Sequence, residues 1–406
     1  MKIKLNLRHA RLTIFICFLV LFSGWLGFWL GTHEVKIKLN EASSIKIDRK
    51  IPQDKQNIDF SMFWNVWDRL EKDYLDKKDI NHTQMVLGAI QGMVASLNDP
   101  YTVFLKPPEN KEVKEDLNGS FEGVGIQLGY KEDQLAVIAP LSGTPAQKAG
   151  VKAGDLILKI DGNTTTGLSL DEAAKKIRGP KGTIVKLTLL RSGEKETYEV
   201  ELSRETIIVA SVEVEFLEEG KIAHLKLSKF GDRTSEEWDK AILTILNQKP
   251  EVKGIILDLR NNPGGYLTGS IFIASEFLGS GTVVQQEYAN GTKETYSVNR
   301  KGKLLTQPLV VLINEGSASS SEIVAGSLQD HTRAKILGTK SFGKGTIQEA
   351  QDLSNGAGLH ITTARWLLPS GNSINKVGIK PDIEVKDDAK TDIDEQLDKA
   401  ISTFLE

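Results

Sequence analysis

Two stretches late in the chain place nucleophilic and basic side chains about one structural unit apart. The first is "INEGSASSSEIVAGSLQDHTRA" (Ile313 to Ala334), which continues the apolar run "PLVVLIN". It sets Ser317, Ser319, Ser320 and Ser321 in a small-residue loop ahead of a predicted helix carrying Ile323, Val324 and Leu328 at helical spacing. Serine is a preferred N-cap, which accounts for one or two of these. The rest have a chemical reading. A hydroxyl at a helix N-terminus sits beside free main-chain N–H groups and the positive end of the dipole, where a developing oxyanion is stabilised. Such a serine still needs a base. His331 lies twelve residues beyond Ser319 in the same predicted helix, about 18 Å away at about 1.5 Å per residue, and is out of reach. Its expected place is the helix C-terminus, where a cation is favoured.

The second stretch is "GTKSFGKGT" (Gly338 to Thr346), nearly a phosphate-binding P-loop. Gly338, Gly343 and Lys344 fit that motif, but Gly345 stands where the metal-binding hydroxyl belongs. The following "TIQEAQDL" suits a strand as well as a helix, and the Walker B-like "IILD" ending at Asp258 precedes the lysine instead of following it. A nucleotide-binding reading therefore ranks last. Lys344 instead follows the strand after the serine helix, so a parallel return brings it beside the serine loop. Buried there, it loses its charge to desolvation and can take a serine proton. Gln348, four residues on, is placed to orient the amine.

Composition narrows the alternatives. The chain has 406 residues, is 40% hydrophobic and 26% charged, and carries a net charge of −3. It is long enough for two or three domains, and it lacks the basic surplus of nucleic-acid binders. None of the six histidines pairs at metal-ligand spacing, so neither a metal nor another cofactor is expected. The single cysteine, Cys17, falls inside "LTIFICFLVLFSGWLGFWLG" (Leu12 to Gly31), an uncharged stretch long enough to span a bilayer as a helix. Lys2, Lys4, Arg8 and Arg11 precede it. The positive-inside rule therefore predicts a retained signal-anchor with residues 1–11 cytoplasmic and the remainder on the extracytoplasmic side of the cell membrane. The lipid bilayer is thus an expected partner.

Residues 32–56 read as a polar stalk. Residues 57–117 read as a helical module, with Phe63, Val66, Trp67, Leu70 and Tyr74 at one helical period, Val86, Ile90, Met93 and Leu97 at another, and "NDPYT" (Asn98 to Thr102) closing the helices. Residues 118–205 are strand-rich with one clear helix, "SLDEAAKKI", opened by an N-cap serine and acidic residues. "IVKLTLL" and "KETYEVEL" around "RSGE" form a predicted hairpin. The Gly-punctuated "GVGI" (Gly123, Val124, Gly125, Ile126) can free consecutive N–H groups for a chain-terminal carboxylate, with the peptide behind it added to a sheet edge. That order, with "SGTPAQKAGVKAGDLILKIDG", resembles a PDZ domain. Residues 206–386 alternate helices with apolar strands suited to a sheet covered on both faces, and "ANGTK" and "SNGAG" mark hairpins. Residues 387–406 read as an acidic amphipathic helix packed on the surface. The predicted fold class is multidomain α+β: a transmembrane helix, a small helical module, a PDZ-like β-rich domain and a mixed α/β core.

"NEGSASSSEIVAGSLQD", "GTKSFGKGTIQ", "LDLRNNPGG" and "TTARWLLPSGNSINKVGIKPDIEV" together resemble the carboxyl-terminal processing, or tail-specific, proteases of peptidase family S41, over residues 60 to 386. The resemblance implies a serine endopeptidase that recognises substrate C-termini. It implies Ser319 as nucleophile, Lys344 as general base, Gln348 as the residue that positions the lysine, and the main-chain N–H groups of Gly265 and Ser320 as oxyanion donors. Gly123, Val124, Gly125 and Ile126 match the carboxylate-binding turn, and Arg178 is placed to couple an occupied PDZ groove to the protease. Asp258, Arg260 and Asp330 are expected to brace loops. The implied partners are proteins or peptides with free C-termini, and a second copy of the chain or a regulatory protein is left open. The rival reading is a PDZ adaptor on an inactive protease scaffold, against which the intact Ser319, Lys344 and Gln348 argue.

Overall fold

The structure, a computed structural model, describes residues 57–131, 133–191, 194–387, 391 and 393–405. The predicted cytoplasmic tail, the membrane-spanning stretch 12–31 and the stalk lie outside the described residues. Among the described residues, no helix is long and apolar enough to cross a membrane.

The chain divides into two compact units, Met1–Val86 and Leu87–Glu406. In the first, helix α1 (Ser61–Asp73) buries Trp67, whose indole N–H donates to Glu71 Oε1 at 2.8 Å and whose ring stacks on His82. Helix α2 (His82–Ala95) spans the division. Its later residues, Leu87, Ile90 and Val94, close a small core on Phe104, Ala357 and Leu359.

In the second unit the chain runs through β1 (Val103–Leu105), α3 (Pro107–Leu117) and β2 (Ser120–Gly123). An antiparallel sheet follows, of β3 (Ile126–Lys131), β4 (Gln134–Pro140) and β5 (Leu156–Ile160), then helix α4 (Leu170–Ile177), then β6 (Ile184–Leu190) and β7 (Thr197–Ser203). The predicted hairpin is β6–β7. Helix α4 begins as its sequence dictates: Ser169 caps it, with the Glu172 N–H donating to Ser169 Oγ at 3.3 Å and the Ser169 N–H donating to Glu172 Oε2 at 2.9 Å. Ala173 and Ile177 of α4 pack with Val137, Ile157, Leu187 and Leu189 in a core separate from the chain's larger one. The chain leaves along β8 (Glu205–Ile208), which pairs antiparallel with β2.

The larger core is built on a six-stranded sheet. Its strands are β9 (Val212–Leu217), β10 (Ile222–Leu227), β11 (Gly254–Asp258), β14 (Leu309–Ile313), β15 (Lys335–Gly338) and β18 (Ile383–Glu384), side by side in that order. Only β9 is antiparallel to its neighbour. Between them in sequence lie α5 (Thr234–Asn247), α6 (Leu267–Phe277), β12 (Thr282–Tyr288), β13 (Lys293–Ser297) and α7 (Ser320–Asp330), followed by β16 (Thr346–Asp352) and β17 (Gly358–Leu367). Alternation explains the continuous apolar runs: Ile255, Leu257, Val311 and Ile313 face α5, α6 and α7, while Ile256, Val310, Leu312 and Leu337 face the other way.

That second face is covered by helix α8 (Glu395–Leu405), through Leu397, Ala400, Ile401 and Phe404. The C-terminal helix is therefore shorter than the predicted 387–406, and it is a core layer instead of surface packing. Asp394 Oδ1 accepts the Leu397 N–H at 2.8 Å and Asp387 Oδ1 accepts the Gln396 N–H at 3.2 Å, so these two acids cap the helix from outside it. A second sheet, in the order β1, β17, β12, β13 with β16 also on β17, completes the fold. Its "ANGTK" and "SNGAG" turns join β12 to β13 and β16 to β17. The segment read as purely helical thus also lends this sheet a strand, β1.

Candidate active site

β14 and β15 are neighbouring parallel strands, registered from Val310 opposite Lys335 to Ile313 opposite Gly338. The serine loop and the lysine loop consequently leave the same end of the sheet, with α7 as the crossover between them. Ser319 is the N-cap of α7 and holds φ 55°, ψ −115°, a conformation that costs a non-glycine residue roughly 1–3 kcal/mol.

The other serines of the cluster are committed elsewhere. Ser317 Oγ donates to Leu259 O (2.7 Å), Ser320 Oγ to Gly265 O (3.0 Å), and Ser321 Oγ to Ala318 O (2.8 Å) and Asn262 O (2.9 Å). All three are buried, Ser319 only partly, and Ser319 Oγ donates to no acceptor among the described residues, facing only the Glu322 N–H of its own capping box. This separates serines that the sequence left equivalent. Ser319→Ala should leave no measurable peptide cleavage. Ser320→Ala, which keeps its main-chain donor, should lose no more than about tenfold, the equivalent of about one hydrogen bond; steady-state rates on one peptide check both.

Between serine and lysine sits a carboxylate that sequence reasoning did not single out. Glu322 is wholly buried and accepts from the Ser319 N–H (2.8 Å), Ser341 Oγ (2.6 Å), the Gly343 N–H (2.7 Å) and the Lys344 N–H (2.9 Å). Burial pushes its pKa up, against these four hydrogen bonds. The signal was present as a capping box, Ser-x-x-Glu from Ser319, but a capping box reports on one helix and not on the loop of the next strand.

Lys344 is half-buried, and its amine makes no hydrogen bond or ion pair to a described residue; Nζ lies 4.9 Å from the ring centroid of Tyr101. Burial lowers its pKa, and the Asp99 and Glu322 charges oppose that without reversing it. Tyr101 and Asp99 belong to "NDPYT", where Asp99 accepts Thr102 Oγ1 at 2.7 Å and the Tyr101 N–H at 3.1 Å. That motif therefore does more than close a helix: it builds one wall around the lysine. Gln348 Nε2 donates to Thr346 Oγ1 (2.9 Å) and Thr362 Oγ1 (3.2 Å), which fixes its amide. His360, also missed, lines the same cleft; burial and the Lys344 charge lower its pKa.

The glycine loop "NNPGG" supplies the opposite wall. A Cβ on Gly264 would come within 2.8 Å of Ala318 O and Ser319 Cβ, and one on Gly265, where φ is 138°, within 2.1 Å of Phe230 O. Neither the Gly265 nor the Ser320 main-chain N–H has an acceptor among the described residues. Asn262 pins the loop, its Nδ2 donating to Leu227 O (2.8 Å) and its Oδ1 accepting the Gly264 N–H (2.8 Å). At the loop's base Asp258 accepts from Arg260 and from His224 Nε2 (3.0 Å), and these partners, set against its burial, hold its carboxyl down at about 2. Arg260 also forks onto Asp394, at 2.7 and 2.8 Å.

Ser319, Lys344, Gln348, Gly265 and Ser320 all line one cleft of about 630 Å³. Arg178 lines it too. It also lines a groove of about 320 Å³ between β3 and α4, bounded by Gly123, Val124, Gly125, Ile126, Leu170 and Ala174. Its guanidinium carbon stands 4.5 Å from the centroid of Phe121, another groove residue that the sequence did not mark. At Gly125, φ 76°, a Cβ would lie 2.4 Å from Thr144, so the turn requires glycine. His331 is the C-cap of α7, its Nε2 2.7 Å from Thr282 O, and takes no part in the cleft. Asp330 accepts the Ser370 N–H at 2.9 Å, a loop contact as expected. Among the described residues no cluster of three or more His, Cys, Asp or Glu could hold a metal ion.

Fold and cleft together define a serine-type protease with a peptide-binding accessory domain. Comparison with known proteins agrees: the Peptidase family S41 model matches residues 221–385, a PDZ domain model residues 137–191, and the activating protease CtpB N-terminal domain model residues 21–107. The carboxy-terminal processing protease CtpA of Bacillus subtilis (strain 168) is 37% identical over 328 residues, 80% of this chain and 69% of that protein. The carboxy-terminal-processing protease of Bartonella bacilliformis is 40% identical over 330 residues, 80% of this chain and 74% of that one. A Bacteroides fragilis structure assigned to the S41 proteases shares the fold, with TM-score 0.54 at 16% identity over 88% of this chain and 94% of its own. The chain belongs to peptidase family S41 and is a carboxy-terminal processing serine protease bearing a PDZ domain.

Proposed function

We propose that Ser319 and Lys344 form a Ser-Lys dyad and that the PDZ groove delivers substrate C-termini to it. The observation that carries this is the shared cleft, in which an uncommitted serine hydroxyl, an unpaired half-buried lysine and two spare main-chain N–H groups converge. Neutral Lys344 removes the Ser319 proton as Oγ attacks the scissile carbonyl. The oxyanion takes hydrogen bonds from the Gly265 and Ser320 N–H groups, at the positive end of α7. As the carbon–nitrogen bond breaks, the lysine ammonium returns that proton to the leaving amine, and an ester on Ser319 remains. Water then attacks the ester, losing its proton to Lys344, and Oγ leaves as the hydroxyl.

Gln348 serves as positioning residue. With Nε2 given to two threonines, its carbonyl oxygen is the part left to accept from the Lys344 ammonium. Gly123 to Ile126 receive the substrate carboxylate on main-chain N–H groups, and Arg178, common to groove and cleft, links occupancy of one to the geometry of the other. Residues 12–31 anchor the protein in the cell membrane with this site outside the cytoplasm, so its substrates are exported or membrane-associated proteins.

The deciding experiment compares peptides that differ only in a free or an amidated C-terminus. Faster cleavage of the free acid is expected, and equal rates would reject carboxylate capture. No cleavage of either at any pH would reject the dyad. Susceptibility of the catalytic region to added protease in spheroplasts, but not in inverted vesicles, checks the orientation.

A further inference from the structure

Among the described residues β16 pairs with β17 and with no other strand. Its free edge can be assigned residue by residue. At one end Gly345 O accepts the Trp366 N–H (3.1 Å) while the Gly345 N–H goes to Asn375 Oδ1 (3.3 Å), and at the other the Leu353 N–H donates to Ala357 O (2.8 Å), so the Gly345 carbonyl and the Leu353 N–H face β17. Residues of one strand alternate in this respect. The one register shift, where Ile347 pairs with Ala364 and Gln348 with Thr362, places its extra residue in β17 and leaves the alternation of β16 unbroken. The N–H and C=O of Thr346, Gln348 and Ala350 therefore point away from β17.

Those three residues all line the catalytic cleft. The edge starts two residues past Lys344, contains no proline, and among the described residues is closed at its far end, where Asp352 meets Lys114 and Asn110 of α3. Long open edges are normally blunted because they recruit extended chains. This one is exposed inside a cleft that must hold an extended chain.

We propose that the open edge of β16, through Thr346, Gln348 and Ala350, is the main-chain docking strand for the peptide substrate, which adds to the sheet as one further strand. The inference rests on the protease reading of the cleft. Pairing of this kind reads the backbone and not the side chains. The PDZ groove then selects the chain end, while the edge accepts whatever sequence lies upstream of it.

The test uses the full-length protein and a fluorogenic peptide with a free apolar C-terminus. Each amide in turn, except the scissile one, is replaced by an ester, which deletes one N–H donor. Losses in kcat/KM of roughly three- to tenfold are expected at every second position, with the positions between unaffected. The same two-residue period is expected in Kd measured on Ser319→Ala. Ala350→Pro, which removes an outward N–H that β17 does not use, should raise KM by a similar factor and keep the melting temperature. A flat profile, or losses at consecutive positions, overturns the docking strand even if cleavage is normal. Periodic binding to Ser319→Ala with no cleavage by the unaltered protein upholds the strand and overturns the dyad instead.

Discussion

Lys344→Ala and Lys344→Arg should both abolish peptide cleavage, each lowering kcat by roughly 10³-fold or more. The arginine variant carries the weight. It keeps a cation in the cleft but stays protonated at any working pH and cannot accept the Ser319 proton. If Lys344 only supplied positive charge, arginine would retain activity. The pH dependence follows from the direction of the shift. Burial lowers the Lys344 pKa, and only the deprotonated amine acts. Activity should therefore rise with pH through that lowered value, and the midpoint should lie below that of an ordinary lysine. Profiles of kcat/KM for the parent and for His331→Ala should coincide, since His331 caps α7 away from the cleft. An active Lys344→Arg, or a rising limb that disappears with His331, would contradict the dyad.

Glu322→Gln is expected to cost about 10²-fold in kcat with little change in KM. The substitution keeps the shape and half of the acceptors. Oε2 accepts the main-chain N–H groups of both Ser319 and Lys344, and Oε1 accepts from Ser341 and Gly343. An amide nitrogen in place of either oxygen turns a donor toward two donors. The nucleophile and the base are then no longer tied to one atom, while the peptide-binding surfaces are untouched. Glu322→Ala leaves four donors unsatisfied in a buried site and should destabilise the fold by about 3 kcal/mol or more, read from urea unfolding. Glu322→Asp, which keeps the charge but shortens the reach, should recover stability before it recovers rate. Equal rates for Glu322→Gln and the parent would show that the carboxylate is only a core hydrogen-bond acceptor.

The fold was legible in the sequence wherever a local rule was sufficient. Ser169 and Glu172 announced α4, the Asn-Gly pairs announced two hairpins, and the runs at 254–259 and 308–314 announced strands covered on both faces. The end of the chain was harder because amphipathicity says that a face is buried without saying against what. Asp387 and Asp394, counted inside the predicted helix, are its external caps, and the helix belongs to the core. In the site, the relation of the serine loop to Lys344 was accessible to reasoning because a strand–helix–strand return fixes it, whereas the choice of Ser319 within the loop came from the family resemblance. Glu322, Tyr101 and His360 were not, since each acts through a contact between segments distant in sequence. "NDPYT" lies more than two hundred residues before the lysine it shields, and no periodicity carries that information. The P-loop likeness of "GTKSFGKGT" arises for a physical reason: both uses need glycines that let the backbone crowd a lysine, one toward a phosphate and the other toward a hydroxyl.

The bidentate link from Arg260 to Asp394 has a consequence for the order of folding during synthesis. The serine, the lysine and the glycine loop are all encoded before residue 346, yet the arginine at the base of that loop finds its second carboxylate only at residue 394. The helix that follows is also the one that seals the exposed face of the sheet. The alignment of the glycine loop therefore depends on a segment synthesised 134 residues after the arginine itself.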